Sequence, residues 1–229
     1  MMETSIESRL QQVKARVTAA AERAGRQADK ITLLPATKQQ NVATLRAVLN
    51  SGLNHFGENR VQEALPKVAA LPPSVKWDFI GGLQTNKARQ VVGVFDLIHS
   101  VDSLKLAAEI NKRAAQHGMH QKILLEINVG GESGKHGIAP PDACALLMEV
   151  NALDHVEVHG LMTVPPFREN LEDVRPFFRQ LRELRDRLEQ QEGFGLPVLS
   201  MGMTHDFEIA IEEGATIVRV GTAIFGARQ

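Results

Sequence analysis

Lys38 closes the apolar run ITLLPAT, a spacing that predicts a strand end holding the lysine stem and an ammonium partly withdrawn from water. Desolvation frees a lysine amine to form an imine with an aldehyde; the bland alternative is a lysine that snorkels out to solvent. Arg219 lies inside a second apolar run, TIVRV, where a permanently charged guanidinium requires a buried acceptor. Either a structural carboxylate such as Glu126 or the ring nitrogen of a bound heterocycle would serve. Ser200 and Gly202, in LSMGM, offer a hydroxyl and a close backbone approach. Gly221 and Thr222 open a segment whose free N–H groups suit an anion.

The elements that must position these groups follow a regular rhythm. Ile6, Leu10, Val13 and Val17 recur at helical spacing and predict an amphipathic helix over 5–24, stopped by Gly25. Apolar runs of strand length then stand at 31–37, 53–56, 77–80, 96–100, 123–129, 156–162, 197–201 and 216–220. Helical patterns follow them at 42–50, 58–70, 85–93, 103–116, 141–150, 170–190 and 206–213, with a brief final segment after the last. Several runs are apolar on both faces, as strands buried between a core and a helical layer are. The expectation is a single-domain (β/α)8 TIM barrel with an extra N-terminal helix, and a doubly wound open sheet is the alternative. In such a barrel the site lies at the C-terminal strand ends, and the loops after strands seven and eight commonly take a phosphate. A lysine for an aldehyde, backbone donors for a phosphate and an arginine for a pyridine nitrogen together describe a site for pyridoxal 5'-phosphate.

Composition narrows the remaining classes. Lys and Arg number 26 against 27 Asp and Glu, so no nucleic-acid partner is expected. Five arginines between 175 and 187 are interrupted by acids and read as a solvated helix face. The one cysteine, Cys144, forms no internal disulfide and reads as a packed helical residue in a reducing compartment. The apolar runs are far shorter than a membrane span, and the opening residues mix charges as a helix does, so a cytoplasmic protein without membrane contact is expected. GGESGKHG at 130–137 imitates a phosphate-binding loop but has Val129 where the first glycine belongs and His136 after the lysine. No metal site is expected from the eight histidines.

The segments ATKQ around Lys38, HFGENRVQEALPK at 55–67, FIGGLQTNK at 79–87, INVGGESGKHG at 127–137 and LSMGMTHDFEIAIEEGATIVRVGTAIFG at 199–226 closely resemble the pyridoxal phosphate homeostasis protein family, also called the YggS/PROSC family. Its members are similar to the barrel domain of fold-type III enzymes such as alanine racemase. The resemblance implies an imine on Lys38, a phosphate held by Ser200, Gly221 and Thr222, and Arg219 facing the pyridine nitrogen. It also implies that Asn59, Met201 and Ser100 line the pocket. The implied function is storage, buffering or delivery of the cofactor in vitamin B6 homeostasis. The implied protein is a monomer without robust turnover that binds pyridoxal 5'-phosphate and other B6 vitamers and contacts apo-enzymes transiently. A racemase or lyase of the same fold is the alternative. Against racemization, the chain has no tyrosine to act as the second acid/base group, and no second domain is expected. An arginine at the pyridine nitrogen also weakens the cofactor as an electron sink. Departures from the family pattern are Pro35 in the first strand, Arg60, Gly82 where histidine is common, and Thr204 after SMGM. Lys135 is expected either to take an aldehyde transiently or to counter Glu132.

Overall fold

The computed structural model describes residues 5–132 and 134–226. Ser5 accepts a hydrogen bond from the Ser8 N–H at 3.1 Å and so opens α1 (Ile6–Arg23), which buries Leu10, Val13, Val17, Ala20 and Ala21 on one side. Eight strands follow: β1 (Thr32–Pro35), β2 (His55–Glu58), β3 (Lys76–Phe79), β4 (Leu97–Val101), β5 (Gln121–Glu126), β6 (Val156–Met162), β7 (Val198–Met203) and β8 (Ile217–Val220). The helices between them are α2 (Val42–Asn50), α3 (Val61–Ala70), α4 (Ala88–Val91), α5 (Leu104–Gln116), α6 (Ala143–Asn151), α7 (Arg175–Glu192) and α8 (Phe207–Glu212), and α9 (Thr222–Phe225) comes last.

Every strand pair is parallel, in the order β1-β8-β7-β6-β5-β4-β3-β2. The two ends of that order meet where Ala36 pairs with Gly57 and the Thr37 N–H donates to the Gly57 carbonyl at 2.9 Å. The sheet is therefore closed, and the (β/α)8 barrel holds over the open sheet. Strand alternation sorts the side chains: Trp77, Phe79, Ile98, Leu199, Met201, Val218 and Val220 face the helical layer. Leu34, Leu97, Leu124, Met162 and Ile217 form a separate cluster inside the barrel.

The short α9 cannot cover the seam between β8 and β1, and α1 lies there instead, packed on α8 and α9 and reaching α2. Arg9 donates to the Ile224 carbonyl at 2.8 Å, Arg26 donates to the Ile211 carbonyl at 2.6 Å, and Arg16 pairs with Glu208 at 2.6 Å.

Five expectations change. The strand expected over 53–56 is β2, two residues later, so Glu58 ends a strand and α3 opens only at Val61. The helix over 85–93 is a 3-10 turn, Thr85–Lys87, followed by α4. β5 ends at Glu126 rather than 129: Ile127 still donates to the Met162 carbonyl at 2.8 Å, but beyond it the chain turns to an isolated bridge with Ile138. β7 runs on to Met203, two residues past the expected end. The arginines of α7 are not simply solvated: Arg179 and Arg182 converge on the buried Glu213 at 3.0 and 2.8 Å, and Arg175 reaches Glu212 at 2.7 Å. No helix among the described residues is long and apolar enough to cross a membrane.

Candidate functional site at the barrel mouth

The loop carrying Lys38 is held by side chains from β2 and α3. Glu58, at the end of β2, is fully buried and accepts from the Thr37 hydroxyl at 2.6 Å and from Lys67 Nζ at 2.5 Å. Lys67 also donates to the Thr37 carbonyl at 2.8 Å. One helical turn earlier, Glu63 accepts the Gln39 N–H at 2.9 Å, a bond that, with the Lys67 and Arg60 charges, holds its carboxyl below the usual range against the opposing effect of burial. Gln39 has φ 62°, the only non-glycine described residue in the left-handed region. Glu63 and Lys67, four apart on one face of α3, thus clamp the backbone on both sides of Lys38.

Lys38 itself lines a cavity of about 360 Å³ at the C-terminal mouth of the barrel, together with Asn59, Arg219, Gly221 and Thr222. These are five of the eight expected site residues. The lysine is exposed rather than desolvated, because β1 stops at Pro35 and leaves Lys38 in the loop beyond the strand. Asn59 sits one residue past β2, its Oδ1 buried without a partner. Gly81 makes that placement feasible: a Cβ there would collide with the Asn59 carbonyl.

Ser200, Met201 and Ser100 are not among the residues lining the cavity. Met201 points outward into the core between sheet and helices. Ser100 is buried with its Oγ unpartnered. Ser200 points into the barrel and accepts from Arg219 Nη1 at 2.5 Å. Because β7 continues to Met203, the residues that reach the mouth from this strand are Met203, Thr204 and His205. With the strand expected to end at 201, none of the three stands among the expected site residues. Gly202, expected to allow a close backbone approach to an anion, instead lies within β7 at φ 90°, where a Cβ would meet Ala210 and Phe207 of α8. Thr204 Oγ1 accepts from the Gly221 and Ala223 N–H groups at 3.3 and 3.4 Å, so a hydroxyl already faces the start of α9.

Arg219 finds its acceptors in the backbone and Ser200, not in Glu126. Nη1 donates to the Ser200 carbonyl at 2.9 Å as well as its hydroxyl, and Nη2 donates to the Thr163 carbonyl at 2.8 Å. Burial lowers its pKa to about 10, opposed by the charges of Glu126 and Asp206, so it remains cationic at neutral pH. Burial pushes Glu126 up to about 7; Asp102 adds to the rise, while His136 and Arg219 oppose it. Above Gly82 stands the His136 ring from the loop after β5, whose Nε2 would be 3.3 Å from a Cβ placed there. Lys135 pairs with Glu132 and is not among the residues lining the cavity.

Residues 8–229 match the family described as alanine racemase, N-terminal domain. The pyridoxal phosphate homeostasis protein of Aquifex aeolicus (strain VF5) is 51% identical over 222 residues, covering 96% of this chain and 97% of its own. PipY of Synechococcus elongatus, solved without PLP, aligns with a TM-score of 0.87 and 36% identity over 97% of this chain and 100% of its own. The same protein solved with PLP bound gives a TM-score of 0.80 at 36% identity over 92% and 100%. By descent as well as by architecture, the chain belongs to the pyridoxal phosphate homeostasis protein family.

Proposed function

We propose that this chain holds pyridoxal 5'-phosphate at the barrel mouth through Lys38 and stores, buffers or delivers it in intracellular vitamin B6 homeostasis. The observation that carries the reading is the convergence of Lys38, Arg219, Gly221 and Thr222 on one cavity. The binding groups fit. Of the five guanidinium N–H donors of Arg219, Nε–H and one on Nη2 have no protein acceptor among the described residues and are available to an unprotonated ring nitrogen. The unpartnered Asn59 Oδ1 adds an acceptor at the cavity wall. Gly221, Thr222 and Thr204 are the groups assigned to the phosphate, and the absence of any bulky side chain at Gly221 leaves the backbone approachable. The bound molecule supplies an aldehyde that condenses reversibly with an amine and a ring that withdraws electrons.

This chain's residues favour holding over turnover. Arg219 stays charged and donates, so it disfavours a proton on the ring nitrogen and leaves electron withdrawal weak. Lys38 is exposed and its amine has no acceptor among the described residues, which leaves it free for exchange with incoming amines. We place the protein in the cytoplasm as a monomer that meets apo-enzymes transiently.

Purified protein mixed with the cofactor is expected to show a visible absorption band, and borohydride treatment is expected to fix the cofactor mass on Lys38. Lys38→Ala removes both; a band and adduct that persist in that variant end the assignment. Delivery predicts that loaded protein reactivates an apo-enzyme faster than cofactor released into solution does, and equal rates reduce the role to a passive store. Solvent deuterium entering the α-position of any amino acid in a broad panel would instead favour a racemase or lyase.

A further inference from the structure

Below Arg219, the apolar barrel interior is interrupted by a file of polar side chains. Ser200 Oγ lies 2.9 Å from His99 Nδ1, and His99 Nε2 lies 3.0 Å from Asp78 Oδ2. Asp78 Oδ1 is 2.8 Å from His55 Nε2, although the two are not aligned as a hydrogen bond. Ser200 and His99 are fully buried, and Asp78 is 1% exposed. Such groups in a core otherwise built of Leu34, Leu97, Leu124, Met162 and Ile217 cost stability unless each is satisfied.

The directions of these bonds follow from valence. A guanidinium can only donate, so Ser200 Oγ must accept from Arg219. The Asp78 carboxylate can only accept, so His99 Nε2 must donate to it, which in a neutral ring leaves Nδ1 bare to take the serine hydrogen. Burial keeps His99 neutral, with the Arg219 and His55 charges in support and Asp78 opposed. Burial would raise Asp78, but the close approach of the His55 imidazole and the hydrogen bond from His99 overcome it and keep the carboxylate ionised.

We propose that Asp78, His99 and Ser200 form a positioning chain that orients the Arg219 guanidinium and reserves its remaining donors for an acceptor nitrogen on the bound ligand. Ser200 acts in this chain as a relay and not as a phosphate ligand, since its one hydrogen is committed to His99. The inference rests on the reading that the cavity holds pyridoxal 5'-phosphate, and it makes the chain a determinant of which ring protonation state is accepted.

Two measurements test it. Nitrogen-15 NMR of the imidazoles in cofactor-free protein is expected to show His99 neutral with its hydrogen on Nε2 at pH 7; an Nδ1–H or doubly protonated ring overturns the chain. In loaded protein, Ser200→Ala is expected to weaken cofactor retention about tenfold and to move the pH midpoint of the visible band, while Ser200→Thr restores both. Retention and midpoint unchanged in Ser200→Ala also overturn it. If Ser200→Ala does not fold, the NMR result alone decides. A parent protein that shows no band removes the cofactor reading, and the His99 tautomer then still decides whether the chain exists.

Discussion

Glu126 illustrates how a single buried side chain can make the whole molecule sensitive to pH. Its carboxyl is raised from 4.5 to about 7 in the folded protein, chiefly by burial. The folded state therefore holds that proton more tightly than the unfolded chain does. Stability contributed by Glu126 is complete below 4.5 and is lost as pH rises through 7. Glu126→Gln is expected to exceed the parent in stability by about 3 kcal/mol at pH 8, with the gap closing toward pH 4, as read from urea denaturation at each pH. A gap that persists at pH 4 would mean that Glu126 is not the titrating group. At this scale the sequence was informative wherever a charge interrupted an apolar run. Arg219 was legible for that reason, and Lys38 was legible as the end of one. Ser200 and Met201 were read less well, because the alternation of a strand and its true end decide which neighbours face the mouth.

Among the elements, β2 and α3 do most to shape the site through one buried cluster. Lys67 satisfies both the Glu58 carboxylate and the Thr37 carbonyl, and Glu58 is fully buried. Lys67→Met would leave that carboxylate uncompensated, and a loss of about 3–5 kcal/mol is expected in urea denaturation. Adding Glu58→Gln is expected to recover most of the loss, since the buried charge is then gone. If the single variant is as stable as the parent, the pair is not buried as described. Sequence periodicity placed the α3 helix over 58–70 but not this cluster: a lysine in a helical pattern reads as a surface residue unless its acceptors are known. The short α4 and the early end of β5 were likewise hidden, because a bridge such as Ile127 to Ile138 is a partner chosen across a loop and leaves no local pattern.

The molecule as a whole depends on α1 filling a gap that α9 is too short to close. Leu10 is fully buried there, and Leu10→Ala is expected to cost about 2–5 kcal/mol, measured by urea denaturation, as a cavity in any other part of the core would. A cost below about 0.5 kcal/mol would make α1 an appendage rather than a layer of the barrel. The rhythm of eight strands with their helices, the lysine and arginine at opposite ends of the chain, and the family itself were all legible in the order of residues, because periodicity and short motifs are local properties. Closure through Ala36 and Gly57, the gathering of Lys38 and Arg219 around one cavity, and the polar chain from Arg219 to Asp78 were decided only by the tertiary structure. Each of these joins residues distant along the chain, and their meeting depends on the stagger of the strands and the exact lengths of β1, β2 and β7, which local patterns leave uncertain by a residue or two.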